Sequence, residues 1–131
     1  MSAIDVGVFL PSMSPRDSLP GDVTAAARHA ESLGLESVWV VDQLIAGTGV
    51  PVIDSFIALA AAAGATSTIK LGLGVLIAPL RAPVWIAKQV ASLQHVSGDR
   101  LLLGVGVGGD RHDASWSAAG VPRRERGRRT D

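Results

Sequence analysis

Apolar positions along the chain come in short unbroken blocks, and between the blocks they recur every three or four residues. Residues 4–10 (Ile-Asp-Val-Gly-Val-Phe-Leu) are mostly apolar and β-branched, with Pro11 behind them, and they read as a first strand. Asp22 then offers an N-cap, and Val23, Ala26, Ala27, Ala30 and Leu33 share one helical face before Gly34 stops the helix. Residues 37–41 (Ser-Val-Trp-Val-Val) form the second block. Beyond a loop with Gly47, Gly49 and Pro51, Asp54 caps an alanine-rich helix that Gly64 is expected to close. Residues 71–76 (Leu-Gly-Leu-Gly-Val-Leu) make a third strand. Pro83 stands at a first helical position, the helix runs to about Val96, and residues 101–105 (Leu-Leu-Leu-Gly-Val) are the fourth strand.

The strands begin near residues 4, 37, 71 and 101, so a strand–helix unit repeats every 30–34 residues. Strands that are apolar on both faces and alternate with helices predict a parallel sheet under helices, joined by right-handed crossovers, and hence an α/β fold. Two architectures compete. A small doubly wound, flavodoxin-like sheet suits 131 residues but needs a fifth strand. Four units also make the amino-terminal half of a TIM (β/α)8 barrel, which typically takes about 250 residues. Such a half leaves two open sheet edges, at strands one and four.

Composition narrows the chemistry. With 47% hydrophobic residues the body of the chain can build a core. Twelve basic and twelve acidic residues cancel, which gives no general attraction to nucleic acid or to anionic membranes. Seven basic and ten acidic residues precede Arg123, whereas residues 123–131 hold five Arg against Glu125 and Asp131. That basic segment reads as the approach to a further, missing helix. Cysteine is absent, which excludes disulfides and thiol chemistry, and three scattered His make no metal cage. No secretory signal or membrane-length apolar run is evident, so a cytoplasmic location is expected.

Four stretches, in order, resemble the luciferase-like flavin monooxygenase family, including its deazaflavin-dependent branch. They are residues 30–43 (Ala-Glu-Ser-Leu-Gly-Leu-Glu-Ser-Val-Trp-Val-Val-Asp-Gln), residues 69–76, residues 81–108, and residues 119–122 with the Glu-Arg-Gly at 125–127. The third is the most specific: Arg81-Ala82-Pro83, Ala87-Lys88-Gln89 and Ser97-Gly98-Asp99-Arg100 lead straight into the fourth strand. The resemblance implies the first half of a (β/α)8 barrel about twice this length, with the phosphate-binding loops in later units. It implies an oxidoreductase using FMN or the deazaflavin coenzyme F-420 on a small organic substrate. The open apolar edges of such a half make a second copy (a homo-oligomer) or a complementary carboxyl-terminal half the expected partner. The other reading is an inactive half barrel that self-associates.

Several residues become candidates on that basis. Asp42 and Gln43 follow strand two at the carboxyl end, where α/β enzymes place their sites. Asp42 either orients a cofactor or caps the following loop. Gln43 stands where the deazaflavin branch often has His, and it faces substrate without being able to exchange a proton. The resemblance places Gly74, Val75, Ile77, Gly106 and Val107 around the cofactor, with a cis peptide at Gly74–Val75. Residues 104–109 formally match G-x-G-x-x-G, but no acid follows at the distance a dinucleotide site requires. They read instead as a strand end where bare backbone meets a flat ring. His112 is the one histidine on the presumed active face, and Ser115 replaces an acid that the family often carries before Trp116.

Overall fold

A computed structural model describes residues 4–14, 18–47, 49–109 and 113–131. Four parallel strands, β1 (Gly7–Phe9), β2 (Ser37–Val40), β3 (Lys70–Ile77) and β4 (Leu101–Gly106), lie side by side in sequence order. Helices α1 (Val23–Ser32), α2 (Ser55–Ala65) and α3 (Pro83–Ser97) connect them, and a short α4 (Asp113–Ala118) follows β4. Consecutive order with all three crossover helices on one face is the winding of a barrel. A doubly wound sheet reverses its strand order and covers both faces. The flavodoxin-like alternative is therefore overturned, and the sheet is a partial (β/α)8 barrel.

Burial explains the one-sided packing. Val38, Val40, Leu71 and Leu73 are fully buried against Ala27 and Ala30 of α1, Ala58, Leu59 and Ala62 of α2, and Leu93 of α3. The opposite, concave face is paved differently. There the indole of Trp39 lies across β3 and towards β1, with its Nε1 donating to Ser37 Oγ at 2.8 Å. A Cβ added to Gly72 would meet Trp39 Cδ2 at 2.2 Å, and one on Gly7 would meet Trp39 Nε1 at 2.7 Å. Glycine on the neighbouring strands is what lets an indole lie flat inside a curved sheet.

The local stops follow the residue chemistry with two exceptions. Gly34 takes φ +73 and closes α1, Gly98 takes φ +69 and closes α3, and Pro83 opens α3. Gly64, however, does not end α2, which runs through Ala65 to Thr66. Its last carbonyls are covered from a distance by Arg100, so no left-handed cap is needed. β1 is also shorter than its apolar block, with Ile4 and Val6 exposed, because an edge strand has only one neighbour to hold it.

Glu31 ties the amino-terminal side of the sheet together. Its Oε1 accepts from the backbone N–H groups of Ser67, Thr68 and Ile69 and from the Thr68 hydroxyl, at 2.7–3.0 Å. These bonds, led by those from Thr68 and Ile69, hold its pKa at about 2, against an ordinary value of 4.5. A depressed carboxylate contributes stability that is complete above the unfolded pKa and is lost as pH falls through the folded one. Thermal melts of the wild type should therefore show a stability loss on acidification from about pH 4.5 towards 2. Glu31→Gln should lower the melting temperature at neutral pH and flatten that acid limb. An unchanged acid limb in the variant would assign it to other carboxylates.

Candidate functional site

The carboxyl ends of β2 and β3 meet at Asp42. Ser55 Oγ and Arg81 Nη2 both donate to Asp42 Oδ1 at 2.8 Å, and the Ile77 N–H donates to Oδ2 at 2.9 Å. Its side chain is only 4% exposed. Asp42 does not cap its own loop. It binds the end of β2 to the start of α2 and the end of β3, three elements that sequence separation keeps apart.

Arg81 is shared. The same Nη2 that reaches Asp42 also donates to Asp54 Oδ2 at 3.0 Å, while Asp54 Oδ1 caps α2 through Phe56 N and Ile57 N. The guanidinium stacks 5.5 Å from the Phe56 ring centroid. Burial works against its charge, but the bonds and charges of Asp42 and Asp54 outweigh that and raise its pKa above the ordinary arginine value. Sequence reading passed over Arg81 as a site residue. A lone basic residue just past an apolar strand, before Ala82-Pro83, was the available signal.

Gln43 is half-buried and stands between two hollows. The larger, about 350 Å³, is lined by Asp42, Gln43, Leu44, Val52, Asp54, Leu80 and Arg81. The smaller, about 20 Å³, lies on the side of the glycine-rich strand end, between Gln43, Ile77, Gly108 and Trp116. The Gln43 amide makes no hydrogen bond among the described residues.

The Gly74–Val75 peptide is cis, and the β3–β4 register shifts between Leu73 and Leu76. The Val75 side chain lies over β4: a Cβ on Gly104 would come within 3.1 Å of Val75 Cγ1, and one on Gly106 within 2.7 Å of Val75 Cγ2. Val75 itself remains 45% exposed on the concave face. Gly106 ends β4, Val107 beyond it is exposed, and Gly108 packs against Ile77 and Trp116. No helix starts within the glycines, which removes the dinucleotide reading. Gly74, Val75, Ile77 and Gly106 are thus gathered at the mouth of the concave face, with Gln43 beside Ile77.

Ser115 has a contact of its own, because its hydroxyl exchanges hydrogen bonds with both Ile45 N and Ile45 O at 3.1 Å. Residues 123–130 form consecutive turns, and Arg129 Nε donates to Pro79 O at 3.2 Å. His112 lies outside the described residues. Among those residues no cluster of His, Cys, Asp and Glu has the geometry of a metal site, and no helix is long and apolar enough to cross a membrane.

The profile of the luciferase-like monooxygenase family matches residues 4–131. The chain belongs to that family. Among luciferase-like relatives, the 4-hydroxyprotoasukamycin monooxygenase of Streptomyces nodosus subsp. asukaensis is 34% identical over 113 residues, covering 82% of this chain and 30% of the relative. The FMN complex of the oxygenating constituent of 3,6-diketocamphane monooxygenase, from Pseudomonas putida, superposes with TM-score 0.79. It covers 98% of this chain and 38% of that one at 20% identity, a likeness of fold alone. The coenzyme F-420-dependent tetrahydromethanopterin reductase of Methanopyrus kandleri gives TM-score 0.64 at 29% identity, covering 92% and 31%. The chain thus spans about 30% of the length of the curated luciferase-like relatives it matches.

Proposed function

We propose that this chain is the amino-terminal half of a luciferase-like oxidoreductase that holds FMN or coenzyme F-420 and acts on a small organic substrate. The observation that carries the reading is the mouth of the concave face. Val75 stands exposed above Gly104 and Gly106, and the unpartnered amide of Gln43 stands close by. That surface fits one part of the cofactor. The absence of a Cβ at Gly104 and Gly106 makes room for the Val75 side chain, which then offers a flat ring an apolar surface. The phosphate end is left to the units that complete the barrel, since Arg81 is already committed to two carboxylates.

Bound there, reduced FMN supplies oxygen activation for insertion of one oxygen atom into the substrate, whereas F-420 supplies hydride exchange. The chain's own residues position and exclude. Val75, Gly74, Gly106 and Val107 support the ring. Asp42 acts through the Ile77 N–H and Arg81 rather than by touching the ring, because both of its oxygens are engaged. Gln43 orients substrate by donating from its amide N–H or accepting at its oxygen, with no proton transfer. Trp39 closes the floor of the concave face to water.

Both sheet edges are open and apolar, with Phe9 of β1 60% exposed and Val105 of β4 49% exposed. Unpaired parallel edges of this kind associate, so the reading includes closure by a complementary half or by a second copy. These edges also favour the second reading, a self-associating module without chemistry. Size-exclusion chromatography of the 131-residue chain with excess FMN, monitored at the flavin absorbance, separates the two. The proposal expects flavin to elute with an assembly of at least two copies, and Gly106→Val to remove the flavin without changing the mass. A dimer that stays colourless with FMN and, in a parallel run, with F-420 supports the module, and a compact colourless monomer overturns both readings.

A further inference from the structure

Two arginines in this molecule make opposite use of their donors. Arg100, 7% exposed, places all five guanidinium N–H groups on protein oxygens: Ser97 O from Nε, Thr66 Oγ1 and Ile69 O from Nη1, Ala63 O and Thr66 O from Nη2. Arg81 places only the two hydrogens of Nη2, on Asp42 and Asp54, although its side chain is just 22% exposed. Its Nε and Nη1 carry three further donors with no partner among the described residues. Arg81 lines the 350 Å³ cavity, and so does Gln43, whose amide is also unpartnered among the described residues.

Unspent donors on two partly buried side chains that line one cavity point to a ligand site rather than to a packing fault. The balance of groups defines the ligand. Free donors outnumber free acceptors, so the ligand must accept. Asp42 and Asp54 already set two negative charges against the one on Arg81, so an anion is repelled. Leu44, Val52 and Leu80 make the remaining wall apolar, which suits a hydrocarbon body.

We propose that this cavity binds a neutral, carbonyl-bearing organic molecule, with its oxygen on Arg81 and Gln43 and its hydrocarbon part against Leu44, Val52 and Leu80. Calling that molecule the substrate, or the end of the substrate remote from the ring, rests on the function proposed above; the binding itself does not. Gln43 then reports from the cavity to the mouth of the concave face, because it lines both hollows.

The test is a titration of the isotope-labelled chain, without any flavin, against cyclohexanone, cyclohexane, cyclohexanecarboxylate and cyclohexylamine at pH 7. NMR follows the Arg81 Nε–H and Gln43 side-chain amide signals. The proposal expects saturable shifts of both with the ketone, and at least tenfold weaker binding of the other three. Gln43→Leu, close in size, should weaken the ketone about tenfold. Arg81→Gln should do the same where it folds, and the Gln43 variant decides the matter where it does not. Equal binding of cyclohexane, tighter binding of the ammonium ion, or no saturable shift at Arg81 overturns the proposal. Ketone binding by a chain that takes up neither FMN nor F-420 in the chromatography test leaves this site standing and removes the oxidoreductase reading.

Discussion

Replacing Arg100 with Met lowers the unfolding free energy by about 3–5 kcal/mol, the largest single-residue loss expected in this chain. The Met side chain fills much of the same volume, so the loss is chiefly polar. Four backbone carbonyls, those of Ala63, Thr66, Ile69 and Ser97, lose their donor in a buried setting. Each such group costs about 1–3 kcal/mol when left dry, and the terms do not add fully because some carbonyls regain water. Ala63 and Thr66 lie at the carboxyl end of α2, so the variant also loses a cation placed at the negative end of that helix. Arg100→Lys keeps the charge but offers fewer donors without the planar fork, and it should recover less than half of the loss. Urea unfolding followed by circular dichroism, at one fixed protein concentration because assembly couples to stability, reads the difference directly. A midpoint for Arg100→Met corresponding to less than 1 kcal/mol would show that the carbonyls find other partners.

Asp42→Asn carries the second large effect, about 2–3 kcal/mol of stability, and it changes the site as well. The substitution keeps the shape, but the amide has one acceptor where the carboxylate serves Ser55, Ile77 and Arg81 together. Arg81 then keeps Asp54 alone, a more exposed partner. The loss stays below that of a fully buried pair because Arg81 has some access to solvent. Removing one negative charge should also let the cavity admit cyclohexanecarboxylate several-fold better than the wild type does. Stability within 0.5 kcal/mol of wild type, or unchanged anion binding, would mean that the Asp42–Arg81 contact is not maintained in solution.

The elements themselves were legible in the sequence because each rests on contacts within a few residues. Asp22 and Asp54 cap the helices that follow them, Pro83 opens α3, and Gly34 and Gly98 take the left-handed turns that their helices need. Alternating apolar blocks and helical faces were enough to predict four strand–helix units on a parallel sheet, and the cis peptide at Gly74–Val75 was foreseen through the resemblance. The failure at Gly64 has the same root. A glycine near a helix end reads locally as a stop, but Arg100, more than 30 residues away, supplies what the stop would have supplied.

The chain by itself therefore determined the α/β class, the winding unit and the position of Gln43 at the end of β2. Only the tertiary structure decided that the strands run in sequence order with helices on one face, and that glycines 7 and 72 exist to clear the Trp39 indole. It alone joined Asp42 to Ser55, Ile77 and Arg81, and set Arg81 beside Gln43 in the lining of one cavity. The reason is range. Caps and turns are set by atoms within one helical turn of each other, whereas a shared guanidinium and a paved concave face join residues about 30 positions apart. Hydrophobic periodicity brings those residues together without recording which of their polar atoms will meet.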